Sequence, residues 1–343
     1  MKMAKINLLT IHWGKCYGAV MQTYATCKLL EESGHEVHVI NLIHPSTKKT
    51  YKRLRKWVDL FREFQFYLFK KKYFSNLTSK SYEILYNKLP SADYYAVGSD
   101  QVWNKDITDP FYLDYYLHFV PNRIKRISLS SSFGKTEWNQ EEALTNEVKN
   151  ELNKFVAVSV REDSGVELLH DIFNISSIQL PDPTIGYGSF DKLLPNRNPK
   201  HQLFTFLFKN TLESKAIVEG CASQLHIPVY KNNRLNSYFR NGPIDWLSNI
   251  ANSDFIITDS FHGLALSLLF NKQFIVLCAD EQKFTRLSSL LRLVKLENRF
   301  VKSYSDFENR KFDLLKHIDY SMVNKILESE RRRYQLYIDK NIK

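Results

Sequence analysis

Residues 259 to 263 read DSFHG, placing an acid, a hydroxyl, an imidazole and a glycine within five positions. They stand at a seam. Phe255 to Ile257 is a strand-like apolar run, and GLALSLLF after the motif has the apolar density of a buried helix. In open α/β sheets, ligands bind where strands end and helices begin. Histidine is the side chain whose unperturbed pKa suits moving a proton near neutrality, which makes His262 a candidate acid. Asp259 is a candidate base, while Ser260 and the amides around Gly263 suit an anion at a helix start. The structural alternative is plain: Asp259 and Ser260 are good N-caps, and His262 satisfies backbone at the helix start.

The same kind of residue recurs at other predicted strand ends. The first strand is followed by His12, Gly18 and Gln22, and GSDQVWN supplies Ser99, Asp100, Gln101, Trp103 and Asn104. Ser130 to Gly134, Arg161-Glu162-Asp163, and Lys209-Asn210 complete the set. Arg161 offers a fork for a carboxylate or phosphate, against a structural ion pair with Glu162 or Asp163. Trp103 offers a flat face to a sugar, against ordinary core packing. GKCYGA is neither a dinucleotide fingerprint nor a P-loop, and no HExxH, GxSxG or DxD-type motif calls for a metal. The residues alone point to an enzyme or binder for a polar, anionic ligand.

The elements that must position these groups alternate. KINLLTI, a helix ending near Gly34, and EVHVINL predict a βαβ unit and a parallel sheet. ADYYAVGSD, RISLSSSFG and FVAVSVRED read as further strands. PDPTIGYGSFDKLLPNRNPKHQ, with four prolines and two glycines, reads as an interdomain linker. Strands at QLFTFLF, IPVYKN, DFIITDS and QFIVLC then alternate with helices, and a charged helical tail follows. The expected fold is α/β, with two Rossmann-like doubly wound domains facing a cleft: residues 1–185, with a basic aromatic helical insert at about 45–80, and residues 186–343.

The chain has 343 residues, 43% of them apolar, enough for two cores. No run approaches the roughly 20 apolar residues of a bilayer span, the N-terminus reads as a first strand and not a signal peptide, and Cys16, Cys27, Cys221 and Cys278 form no CxxC pair. These features predict a cytoplasmic protein without structural disulfides. The formal charge is +11, and residues 48–72 carry ten Lys/Arg against two acids, with Leu54, Trp57, Val58, Phe61, Phe64 and Leu68 at helical spacing. Such a basic amphipathic helix suits either an anionic membrane surface or docking on its own domain. No nucleic-acid module appears.

GAVMQTYA, GSDQVWN, SSFG, VSVREDSG, LPDPT, WLSNIANSDFIITDSFHGLALSLLF and FTRLSSLL occur in that order. Together they resemble the polysaccharide pyruvyl transferase family, in its bacterial surface-polysaccharide branch, over about residues 7–300. The resemblance implies a GT-B-like fold and transfer of a pyruvyl (carboxyethylidene) group from phosphoenolpyruvate to two sugar hydroxyls, with no cofactor beyond that donor. It implies His262 as proton donor, Asp100 or Asp259 as base, and Arg161, Arg286, Ser260 and Gly263 around the donor. Ser99, Gln101, Trp103 and Asn104 are then the expected acceptor contacts. Many relatives carry Arg-Leu-His where this chain has Ser260-Phe261-His262, and Arg286 is the candidate for the missing cation. The acceptor would be a lipid-linked oligosaccharide at the inner membrane face, where each basic residue of 48–72 contributes about 1 kcal/mol of attraction to anionic lipid. The rivals are a GT-B glycosyltransferase using a nucleotide sugar and a non-catalytic glycan-binding protein.

Overall fold

The computed structural model describes residues 3–47, 56–194, 197–230, 241–277 and 281–343, without the side chains of 56–59 and 281–284. Much of the basic stretch (48–55) and Cys278 therefore lie outside the described residues. The chain forms two compact units, Met1–Tyr187 with Glu330–Lys343, and Gly188–Ser329.

The first unit begins with β1 (Lys5–Leu9), α1 (Tyr17–Glu32), β2 (Glu36–Val39) and α2 (Lys56–Tyr73). It continues with β3 (Tyr94–Val97), the short α3 (Lys105–Thr108), β4 (Lys125–Ser128), α4 (Glu142–Leu152) and β5 (Phe155–Ala157). All strand pairs are parallel, in the order β2-β1-β3-β4-β5. The central strands are buried on both faces, as parallel strands covered by helices must be. Helix α1 is buried almost all round: Tyr17 packs on Phe66, and Tyr24 meets Phe69, Tyr73 and Tyr187.

FVAVSVRED is not the single strand its alternation predicts. After β5 the chain turns at Val158, and β6 (Ser159–Val160) leaves the main sheet to pair with β7 (Ile178–Gln179). Ser128 and Ser159 replace the lost ladder, each donating its hydroxyl to the other's carbonyl at 2.8 and 2.7 Å. Helix α5 (Asp163–Asp171) lies between β6 and β7. The start of the expected linker is a helix too: α6 (Pro183–Tyr187) is wholly buried, with proline at its first position and Asp182 accepting from the Thr184 amide.

The second unit holds β8 (Lys200–Phe206), α7 (Leu212–Leu225), α8 (Pro243–Asn252), β9 (Ser253–Thr258) and α9 (Phe261–Leu269). Then come β10 (Gln273–Leu277), α10 (Glu281–Leu293), β11 (Phe300–Val301), α11 (Tyr304–Leu314) and the start of α12 (Tyr320–Asn341), whose residues up to Ser329 belong to this unit. The parallel sheet runs β11-β10-β9-β8 around a core that includes Leu203, Ile217, Phe255, Ile257 and Ile275. Of the expected strand IPVYKN, the described part makes one bridge, Val229 to Leu203, on the edge of β8 away from β9.

The domain expectation needs one correction, because Glu330–Lys343 belongs to the first unit and not to the second. Tyr334, Ile338 and Ile342 are fully buried, the Tyr337 hydroxyl donates to the Ser128 carbonyl, and Arg333 donates to the Gln179 carbonyl. The apolar positions 334, 337, 338 and 342 form one helical stripe within an otherwise charged segment.

Candidate functional site

Both sheets reverse their strand order. In the first unit the chain passes from β1 outward to β2 and returns on the other side to β3. In the second it passes from β8 to the Val229 edge and returns to β9. Crossovers then leave in opposite directions, opening a crevice at the carboxyl ends of β1 and β3, and of β8 and β9. The sequence-predicted residues fall at these two places.

In the first unit the strand ends are pressed together. A Cβ at Gly98 would stand 2.6 Å from the Thr10 Cβ, so glycine is what lets β3 approach β1 there. The Thr10 hydroxyl donates to the Ser99 carbonyl, and Gln22 donates to Thr10, to the Ile11 and Ala19 carbonyls, and to Thr23. Gln22 thus clamps the β1–α1 turn, while Gly18 is buried in the first turn of α1. Asp100 and Ser130, at adjacent strand ends, both take left-handed backbone conformations (φ 72° and 57°). Such strain concentrates at sites that must aim a group.

The sequence did not single out the residue at the centre of this network. Asp182, from the LPDPT run, accepts from the Ser99 hydroxyl at 3.0 Å, from Arg161 at 2.9 Å, and from the Thr184 amide and hydroxyl. Arg161 also pairs with Glu162 at 2.9 Å, and Glu162 accepts from Ser132. Burial alone would lower the arginine's pKa, but Glu162 and Asp182 outweigh it and raise it further. Arg161 is therefore a buried cation paired with two carboxylates, the structural role weighed against donor binding. Of the two expected ion-pair partners Glu162 is one, and Asp182 is a second that the sequence did not offer.

Most of the expected acceptor contacts are structural as well. Trp103 is buried, stacked on Tyr116 at 5.4 Å and 6°, with its indole N–H donating to the Tyr115 carbonyl. It cannot offer a face to a sugar. Ser99 is buried on Asp182, and Asn104 caps α3 through the Asp106 amide while donating to Gln101. Gln101 and Asp100 are only half-buried, which leaves them as the reachable members of GSDQVWN.

His12 is fully buried, its ring nitrogens facing the Thr10 carbonyl and the Asn41 side chain. Burial, helped by the Lys70 charge, lowers its pKa from 6.5 to about 4, so it is neutral at pH 7 and unsuited to acid catalysis there. Because an unfolded chain protonates this imidazole near 6.5 and the folded one near 4, stability is lost as pH falls through that window. The loss by pH 4 is about 3 kcal/mol. Urea titrations at pH 7 and pH 4.5 should show His12→Asn to be markedly less acid-sensitive than the parent.

In the second unit, Thr258 donates to the Phe206 carbonyl and accepts from the Ser260 amide, tying the ends of β8 and β9. A Cβ at Gly263 would collide with the Thr258 hydroxyl, so the first turn of α9 can lie against β9 only with glycine there. Ser260 is the N-cap of α9, accepting from the Gly263 amide. Asp259 accepts from the Phe208 amide at 2.8 Å and the Lys209 amide at 3.2 Å, so it fixes the loop after β8 and is poorly placed to serve as a base. His262 lies in the first turn of α9 with 7% of its surface exposed, edge-on to Phe261. Arg286 is half-buried on α10, which packs against α9. Lys209 and Asn210 are exposed at the end of β8. Among the described residues, no cluster of His, Cys, Asp and Glu could hold a metal ion.

Solved structures share this architecture along nearly the whole chain. A UDP-glucosyltransferase from Polygonum tinctorium is 11% identical with a TM-score of 0.52, covering 99% of this chain and 98% of that one. An Arabidopsis thaliana protein complexed with UDP-L-rhamnose is 11% identical with a TM-score of 0.51, covering 98% of each. MnaA of S. aureus, solved with UDP, is 12% identical with a TM-score of 0.50, covering 99% and 96%. No curated protein matches the sequence. The class is α/β with two Rossmann-like units of the GT-B type. Residues 17–277 match the pattern described as polysaccharide pyruvyl transferase, and the chain belongs to that family.

Proposed function

We propose that this enzyme transfers a pyruvyl group from phosphoenolpyruvate to two hydroxyls of a sugar in a surface-polysaccharide precursor, closing a cyclic ketal and releasing phosphate. The observation that carries the reading is the position of His262, in the TDSFHG run, beside the reversal of strand order in the second unit.

In this reading His262 gives a proton to the methylene carbon, leaving oxocarbenium character at C2. One sugar hydroxyl adds there, phosphate departs, and the second hydroxyl adds to the cation that remains. Of the two hydroxyl protons, one replaces the proton spent by His262 and the other leaves with phosphate. A positioned general acid contributes about 10²- to 10⁴-fold. The donor's charge is met by Lys209 and Arg286 and by the Ser260-capped start of α9. Asp100 is the base, because both oxygens of Asp259 are engaged with amides. Gln101 is the side chain left to hold an acceptor hydroxyl. The acceptor in this reading is a lipid-linked oligosaccharide.

Titration calorimetry with phosphoenolpyruvate and UDP-sugars in parallel tests the donor. Heat with phosphoenolpyruvate alone is expected. Heat with a UDP-sugar alone would make the protein a nucleotide-sugar glycosyltransferase, and heat only with glycan would make it a non-catalytic binder.

A further inference from the structure

Helix α2 has two apolar faces, and its own unit uses only one. The inner face buries Phe66 and Phe69 against Tyr17 (5.2 Å between ring centroids) and Tyr24 (6.4 Å). The same side is tied to the turn between β1 and α1: Lys15 pairs with Glu63 at 3.4 Å, and the Arg62 guanidinium lies 4.9 Å over the Tyr17 ring. This is the docking a surface helix needs. It differs from the stripe expected from the sequence, because Phe64 and Leu68 are on the other side.

That other side exposes Leu60, Phe64, Tyr67 and Leu68 at 40, 51, 52 and 45% of their surface. Their spacing, i, i+4, i+7 and i+8, makes one continuous stripe, and Phe64 and Tyr67 stack. Lys71 and Lys72 extend the stripe at the helix's carboxyl end, both exposed. A helix facing bulk water carries polar residues here. From residue 60 to 73 the one acid is Glu63, which Lys15 already pairs. The face is thus apolar and aromatic with a purely cationic end, on a chain of net charge +11.

We propose that this outer face of α2 docks the first unit on an anionic membrane surface, with Leu60, Phe64, Tyr67 and Leu68 at the acyl boundary and Lys71 and Lys72 among the headgroups. Interfacial helices bury such a face shallowly and need anionic lipid to hold. The consequence is geometric. The β1–α1 turn, which borders the strand-end crevice, packs on the inner face, so it stands about one helix diameter (~10 Å) from the docked face. The substrate class follows, resting on the transfer reaction proposed above: an acceptor sugar presented close to its lipid anchor, not at the far end of a long chain.

The full-length protein would be sedimented with phosphatidylcholine vesicles and with vesicles containing phosphatidylglycerol, at low and high salt. Binding is expected only with the anionic vesicles, weakened by salt, and reduced roughly tenfold or more by Lys71→Gln/Lys72→Gln and by Phe64→Ser/Leu68→Ser. These side chains are exposed, so the variants should melt like the parent. Equal binding to neutral vesicles, no binding, or binding that ignores the variants would overturn docking. So would a parent dimer that Phe64→Ser/Leu68→Ser converts to monomer, since a second copy would then own the face. The vesicle assay contains no phosphoenolpyruvate, so its outcome is independent of the chemistry: docking there with no phosphate release in a separate turnover assay removes the proposed reaction, and phosphate release in that turnover assay without docking removes this inference.

Discussion

His262→Gln is expected to slow phosphate release from phosphoenolpyruvate by about 10²- to 10⁴-fold, the worth of a positioned general acid. Glutamine keeps the bulk and polarity of the imidazole but gives up no proton near neutrality. The loss should fall on kcat, with donor affinity within a few-fold of the parent, because the proposed reaction assigns the anion to Lys209, Arg286 and the helix start and only the proton transfer to His262. Single-turnover rates and calorimetric affinities separate the two effects. A variant that turns over normally would reduce His262 to a residue of the α9 start, the role its burial beside Phe261 would otherwise explain.

Arg161→Met carries the second large effect, and it is on stability. The change leaves Glu162 and Asp182 buried without their shared cation, and breaking a buried pair in this way costs about 3–5 kcal/mol. The first unit should therefore unfold at lower urea, followed by circular dichroism. Adding Asp182→Asn to Arg161→Met should recover part of the loss, since it removes one of the stranded charges. Enzyme that remains folded should bind phosphoenolpyruvate nearly as the parent does. Unchanged stability with a large loss of donor affinity would return Arg161 to the donor site and show that its carboxylates release it when ligand binds.

The contrast between these two residues shows what the sequence could reveal. Strand-to-helix seams are local, so DFIITDSFHG was legible as a strand, a capped helix start and a histidine in its first turn. The βαβ rhythm was equally legible, because period and punctuation are written along the chain. What surrounds a side chain is not local. Arg161 and Asp182 are 21 positions apart, and only the departure of β6 from the main sheet brings them together. Trp103 looked like a sugar platform because its neighbours are polar, yet Tyr115, Tyr116 and Phe133 enclose it from across a loop and the next strand end. The Asp-Pro of LPDPT was the one available signal for Asp182, since Asp before Pro is a helix start as readily as a linker. The tail was misassigned for a related reason: four buried apolar residues among the fourteen of Glu330–Lys343 leave little trace in composition.

The most direct measurement is to incubate the full-length enzyme with phosphoenolpyruvate and a lipid-linked glycan, following phosphate release alongside the mass of the glycan. One phosphate is expected for each glycan that gains a carboxyethylidene group, with the gain resistant to mild base as a ketal is. Phosphate without a mass change, or a glycan that gains a hexose from a UDP-sugar, would contradict the proposed transfer.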